Sequence, residues 1–219
     1  MPPSPRRDDD DVVEQLDDRL RALGAPLRGF EARALFMGAL TSTSPTLGPQ
    51  ELLPIIFGKS IFLGEDEEDA RATLGLVMLL WNGLNDERRN GAIRFSAVSM
   101  SSPPTHEQLR EISMRRSAEL MWYLRGLAAG GDDETSFGER GERVFGDIDL
   151  GAQALGRWTK HLAQAETLEP HEEREAALRI QEITAALERL VAELMRLGDR
   201  VRADALGKAA ARPSSRGHG

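Results

Sequence analysis

Cysteine is absent from the 219-residue chain. Disulfides, thiolate metal sites and cysteine nucleophiles are therefore excluded, and a secreted disulfide scaffold with them. No long apolar run occurs either. The longest clean stretch, Leu76 to Trp81, is far too short to span a bilayer. The opening MPPSPRRDDDD has no apolar core after its arginines, so it does not read as a secretory signal, and a cytoplasmic location is expected. Excess positive charge is also missing. With 28 Lys and Arg against 36 Asp and Glu, the net charge is -8, which repels nucleic acid and anionic membrane in bulk. The one weakly basic stretch, Lys208 to His218 with Arg212 and Arg216, is short and rich in Ala, Gly and Ser, the composition of a solvated end.

Catalytic and metal signatures are missing as well. Gly58, Lys59 and Ser60 imitate the end of a phosphate-binding loop, but the glycine required five residues earlier is Leu53. The four histidines, His106, His161, His171 and His218, form no pair four residues apart and no HExxH. No GxSxG elbow or dinucleotide fingerprint is present. No catalytic residue, cofactor or metal is assigned. Aromatic residues are few. Trp81, Trp122 and Trp158 all fall in helical patterns, and only Arg115, Arg116, Trp122, Tyr123 and Arg125 interleave aromatic and basic groups. Glu111 and Glu119 dilute that segment, so the aromatics read as core and nucleic acid is not the expected partner.

What is present is helical periodicity. Val12, Val13, Leu16, Leu20 and Leu23 mark a helix from Asp11, with Asp8 to Asp11 where a helix N-terminus favours negative charge, closed by Gly24 and Pro26. A second helix is expected from about Leu27 to Leu40. A short third follows Pro49, interrupted by Pro54. Ala70, Leu74, Val77, Met78, Trp81 and Leu84 form a strong amphipathic pattern behind an acidic first turn, Glu65 to Asp69. Thr105 is placed to cap the next helix, which carries Leu109, Ile112, Leu120, Met121, Leu124 and Leu127 before Gly130 and Gly131 stop it. The glycine-rich, charged stretch from Gly131 to Gly146 reads as a flexible loop, with a further helix from about Ile148 to Ala165. IRFSAVSM is the only strand-like run and has no obvious partner.

The most regular element comes last. Ala176, Ile180, Ile183, Leu187, Leu190, Leu194, Leu197 and Val201 alternate spacings of four and three, a heptad seam. Thr184, Ala186, Val191 and Gly198 widen the apolar face beyond a two-stranded zipper. Packing against several helices is favoured, with self-association second. Gly198 and Gly207 are the candidate stops. If the seam is open to a partner, its contact residues are Ile180, Ile183, Leu187, Leu190, Leu194 and Leu197. The expected organisation is a disordered start at 1–10, a helical bundle at 11–167, a long helix at 168–206 lying on the bundle or on a second copy, and a disordered tail at 207–219. The fold class is all-α, an irregular or orthogonal bundle.

The segment from Leu27 to Gly58 resembles the opening module of the YecA/YgfB-like family of bacterial proteins. It carries Gly29 and Phe30, Ala34 and Gly38, Pro45 and Pro49, then Glu51, Leu52, Leu53, Pro54 and Gly58. Leu79 to Asp86 and Ser117 to Gly130 are similar to later family helices. The resemblance covers about half the chain and implies an all-helical bundle with no established enzyme activity. Arg28 stands where the family often has an acidic residue, and no cysteine-rich zinc-binding tail is present. Gly29 and Gly38 each cost a helix about 1 kcal/mol relative to alanine, so close helix approach is expected at both. The function expected is a non-enzymatic helical interaction or regulatory protein with a protein partner or a second copy of itself. The alternatives are a small-ligand or hydrolase-like site of scattered carboxylates and histidines, and a nucleic-acid-associated regulator.

Overall fold

The computed structural model describes residues 5–58, 66–98 and 100–210, and among them every regular element is helical. The helices are α1 (Pro5–Ala22), α2 (Gly29–Thr41), α3 (Leu53–Phe57), α4 (Glu67–Arg89), α5 (His106–Ala129), α6 (Gly138–Gln164) and α7 (Pro170–Ala210). Short 3-10 turns at Pro49–Leu52 and Glu134–Phe137 lead into α3 and α6. The all-α expectation holds.

The pair at the centre is α2 with α5. Every residue from Ala32 to Thr41 is buried, as befits a helix apolar on nearly all sides. The two backbones meet at glycines. A Cβ on Gly38 would lie 1.9 Å from the Tyr123 carbonyl oxygen, and one on Gly126 would lie 2.1 Å from that of Leu35. The expected close approach at Gly38 is therefore present, and it is reciprocal. Phe30 faces Arg115 near the start of α2, and Ser42 abuts Gly130 beyond its end, so the two helices run in the same direction. Tyr123 is fully enclosed at the crossing, and burial pushes its phenol well above the ordinary range.

On one side, α1 and α4 cover α2. Leu16 and Leu20 from α1 and Val77, Leu80 and Leu84 from α4 are buried, and Trp81 meets Phe36 edge-on at 5.4 Å. The helix α1 begins six residues earlier than expected, at Pro5, where a first-turn proline forfeits no hydrogen bond. On the other side lie α6 and α7, antiparallel to each other: Arg140 pairs with Glu193 at 2.7 Å, while Gly151 sits against Leu187. The flexible loop expected between Gly131 and Gly146 is largely helix, because α6 starts at Gly138. Phe137, Gly141, Val144 and Ile148 keep the four-three-four spacing and are all buried, so glycine here serves packing.

Neither Gly198 nor Gly207 stops α7, which runs to Ala210, about 60 Å in all. Gly198 is buried against the end of α2, where a Cβ would lie 2.0 Å from the Thr41 carbonyl oxygen. Beyond it, Arg202 donates to the carbonyls of Leu40 and Ser42, and Arg88 from α4 donates to Leu40 as well. Residues 203–208 of α7 are exposed. The tail expectation for 211–219, and that for 1–4, lies outside the described residues.

From Ile93 to Val98 the strand-like run is a strap outside any regular element. With no strand beside it among the described residues, it takes its hydrogen bonds from side chains. The amides of Phe95 and Ser96 donate to Glu188 (3.1 Å) and Glu119 (3.0 Å), while Arg33 and Arg116 donate to the carbonyls of Arg94 and Ser96. Glu119, 1% exposed, also pairs with Arg116.

Candidate functional site: a groove at the α1–α2 corner

The corner between α1 and α2 is organised by Asp17. It falls on the buried face of α1, between Val13 and Leu20. From there its carboxylate accepts the Gly29 amide (2.8 Å), Arg28 Nε (2.8 Å) and Nη2 (3.0 Å), and a bond from Arg21. It thus satisfies an amide that the start of α2 would otherwise leave unpaired. Arg28 contributes a third bond through its backbone, its N–H donating to Glu31 at 2.7 Å. Burial disfavours the Asp17 anion, but the bonds from Arg28, Gly29 and Arg21 outweigh it and hold its pKa down at about 2. Only glycine fits at position 29, since a Cβ would lie 2.4 Å from the Val13 carbonyl.

Fixing Gly29 in this way turns the next side chain, Phe30, to the flank of α5. The Arg115 guanidinium lies 4.7 Å over its ring and donates Nε to Ser96 Oγ at 3.0 Å. Between these walls runs an open groove of about 930 Å³. Val13, Phe30, Ala97, Met114 and Ala118 supply its apolar surface, and Met114 is 53% exposed. Glu14, Glu31, Glu107, Arg110 and Glu111 supply charge around it. A smaller hollow of about 410 Å³ on α6 is lined by Ala154, Arg157, Trp158 and His161.

The seam residues singled out in the sequence lie elsewhere. Ile180, Leu187 and Leu194 are buried, and Ile183, Leu190 and Leu197 pack half-buried against the same core. The structure does bring all six together, but onto a face of α7 covered by the chain's own bundle. They form no open contact surface, because the wide apolar face has several helices to fill it. The described histidines do not converge. His106 Nε2 lies 2.8 Å from the Leu162 carbonyl, His161 packs edge-on to Trp158 and His171 is exposed. His218, Lys59 and Ser60 lie outside the described residues. Among the described residues no three His, Asp or Glu side chains are grouped to hold a metal ion.

Asp17, Phe30 and Met114 were not singled out as a site from the sequence. One signal existed for the first: an aspartate set among Val13, Leu16 and Leu20 needs a partner, and Arg28 and Gly29 follow the turn. Comparisons of the chain with family models, curated proteins and solved structures give no match.

Proposed function

We propose that the protein is a non-enzymatic helical interaction protein that docks a segment of a partner in the groove between the α1–α2 corner and α5. The observation carrying this reading is Met114, a large apolar side chain left half-exposed in an open groove beside Phe30, on helices held rigid by the α2–α5 crossing. A methionine adapts its shape to an incoming side chain at little cost, and sites placed on rigid helices lose little order on binding. No described helix is long and apolar enough to cross a membrane. The proposal places the protein in the cytoplasm and in the YecA/YgfB-like family. It gives the family-like Gly29–Phe30 pair a role: the glycine lets α1 close on α2, and the phenylalanine faces the groove.

A photo-cross-linking amino acid at position 114, introduced in cells, tests the reading. A discrete adduct from position 114 that is missing from position 178, an exposed leucine on α7, is the expected result. Identical products from both positions, or none from 114, would refute it.

A further inference from the structure

Resting on that reading, we propose that the occupant of the groove is a basic amphipathic helix of the partner, lying along α5 with its cationic end at Glu14, Glu107 and Glu111.

The charges around the groove divide into those already engaged and those still available. Asp17 is held by Arg28 and Arg21, Glu31 by the Arg28 amide, and Arg115 by Ser96 and the Phe30 ring. Glu14, Glu107, Glu111 and Arg110 are exposed, with no ion pair or side-chain hydrogen bond among the described residues. Over the whole lining five carboxylates meet four guanidiniums, and the excess negative charge sits where Glu14, Glu107 and Glu111 gather with Arg110. The net charge of -8 adds long-range attraction for a cation.

The apolar surface has a direction as well. Met114, Ala118 and Met121 recur at four and three residues along α5, so all three lie on one face of that helix. Met114 and Met121 are both more than half exposed. The stripe therefore extends past the groove, and Glu107 and Glu111 stand at its N-terminal end. A partner helix with apolar anchors at matching spacing covers such a stripe. Addition of an extended strand is disfavoured, because the Phe95 and Ser96 amides of the neighbouring strap are already bonded to Glu188 and Glu119.

The test uses the full chain and two fluorescein-labelled synthetic amphipathic helices, one of Leu and Lys and its counterpart of Leu and Glu, titrated by anisotropy. The Leu/Lys helix should bind, lose affinity as salt rises, and weaken by about tenfold or more in Met114→Glu. That substitution makes the protein more acidic, so attraction by charge alone would strengthen. Glu107→Lys with Glu111→Lys should also weaken binding, and Leu178→Glu should leave it unchanged. Retained or increased affinity in Met114→Glu overturns the proposal by showing long-range attraction without a seat. Tighter binding of the Leu/Glu helix, lost in Met114→Glu, overturns the basic assignment while the docking reading survives. Failure of both helices to bind at low salt overturns the amphipathic occupant, and the cross-link from position 114 then decides separately whether any segment docks there.

Discussion

Replacing Gly38 with alanine tests the organising contact of the fold. The new Cβ would lie 1.9 Å from the Tyr123 carbonyl oxygen and 2.9 Å from the Leu127 amide nitrogen, and real Cβ atoms do not approach closer than about 3.0 Å. The helices α2 and α5 must then part by about 1 Å, and because the obstacle is backbone, no side-chain rotation relieves it. Overpacking of this kind costs typically 1–3 kcal/mol. With rigid backbone on both sides the upper end, about 3 kcal/mol, applies. Removing a helical glycine returns about 1 kcal/mol, leaving a net loss of about 2 kcal/mol, or roughly 4–8 °C in Tm for a chain this size. Urea denaturation followed by far-ultraviolet circular dichroism measures it. Gly75, an exposed helical glycine with nothing within 4 Å of a built Cβ, is the control, and Gly75→Ala should stabilise by about 0.5–1 kcal/mol. Gly126→Ala combined with Gly38→Ala should cost less than the sum of the two, since one separation accommodates both. If Gly38→Ala is as stable as the parent while Gly75→Ala behaves as stated, the crossing does not limit stability and the reasoning fails.

Asp17 gives a pH signature. Its folded pKa lies below the unfolded value, so its contribution is complete above about pH 4 and disappears as the pH falls through about 2. At neutral pH that contribution is at most about 2 kcal/mol, reduced because Arg21 and Arg28 are each about half exposed. Asp17→Asn should therefore flatten the acid limb of the stability profile in denaturant titrations between pH 2 and 5, and an unchanged limb would remove Asp17 from the account. Glu119→Ala leaves Arg116 buried without its carboxylate and should cost about 3–5 kcal/mol by urea titration. Replacing both with apolar residues should not restore stability, because the Ser96 N–H and carbonyl then lose their partners, and full recovery in the double variant would remove those bonds from the account. Ending the chain before Glu169 removes Ile180, Leu187, Val191, Leu194 and Met195 from the core. Light scattering and circular dichroism should then report an unfolded or aggregated product, and a folded monomer would show that α7 is dispensable.

The fold was legible wherever an apolar stripe kept helical spacing without interruption. The stripes of α4, α5 and α7 appear in the three-and-four spacing, and Gly38 announced a close approach by its cost. The start of α6 was obscured because Gly138, Gly141 and Gly146 imitate a loop, while the spacing of Phe137, Val144 and Ile148 continues through them. Gly198 misled for the same reason: a glycine that admits a neighbouring backbone has the same letter as one that ends a helix. The groove was hidden because its walls come from α1, α2, the strap and α5, and no local pattern joins Asp17 to Phe30 and Met114. The seam on α7 was visible, and Thr184, Ala186, Val191 and Gly198 beside it favoured packing against several helices, but no local pattern names which helices those are.

The contact between Arg202 and the end of α2 joins residues 160 positions apart. On a ribosome, at about 5–20 residues per second, the carbonyls of Leu40 and Ser42 emerge roughly 10 to 30 s before the guanidinium that accompanies them in the finished protein. During that interval α2 can pair with α5 and Arg88 can reach the Leu40 carbonyl, but the Ser42 carbonyl and the apolar surface later covered by Leu187, Val191 and Leu194 remain uncovered. Nascent chains stalled ahead of α7 should therefore be the form most readily held by chaperones, and release of the last helix is the event that closes the molecule.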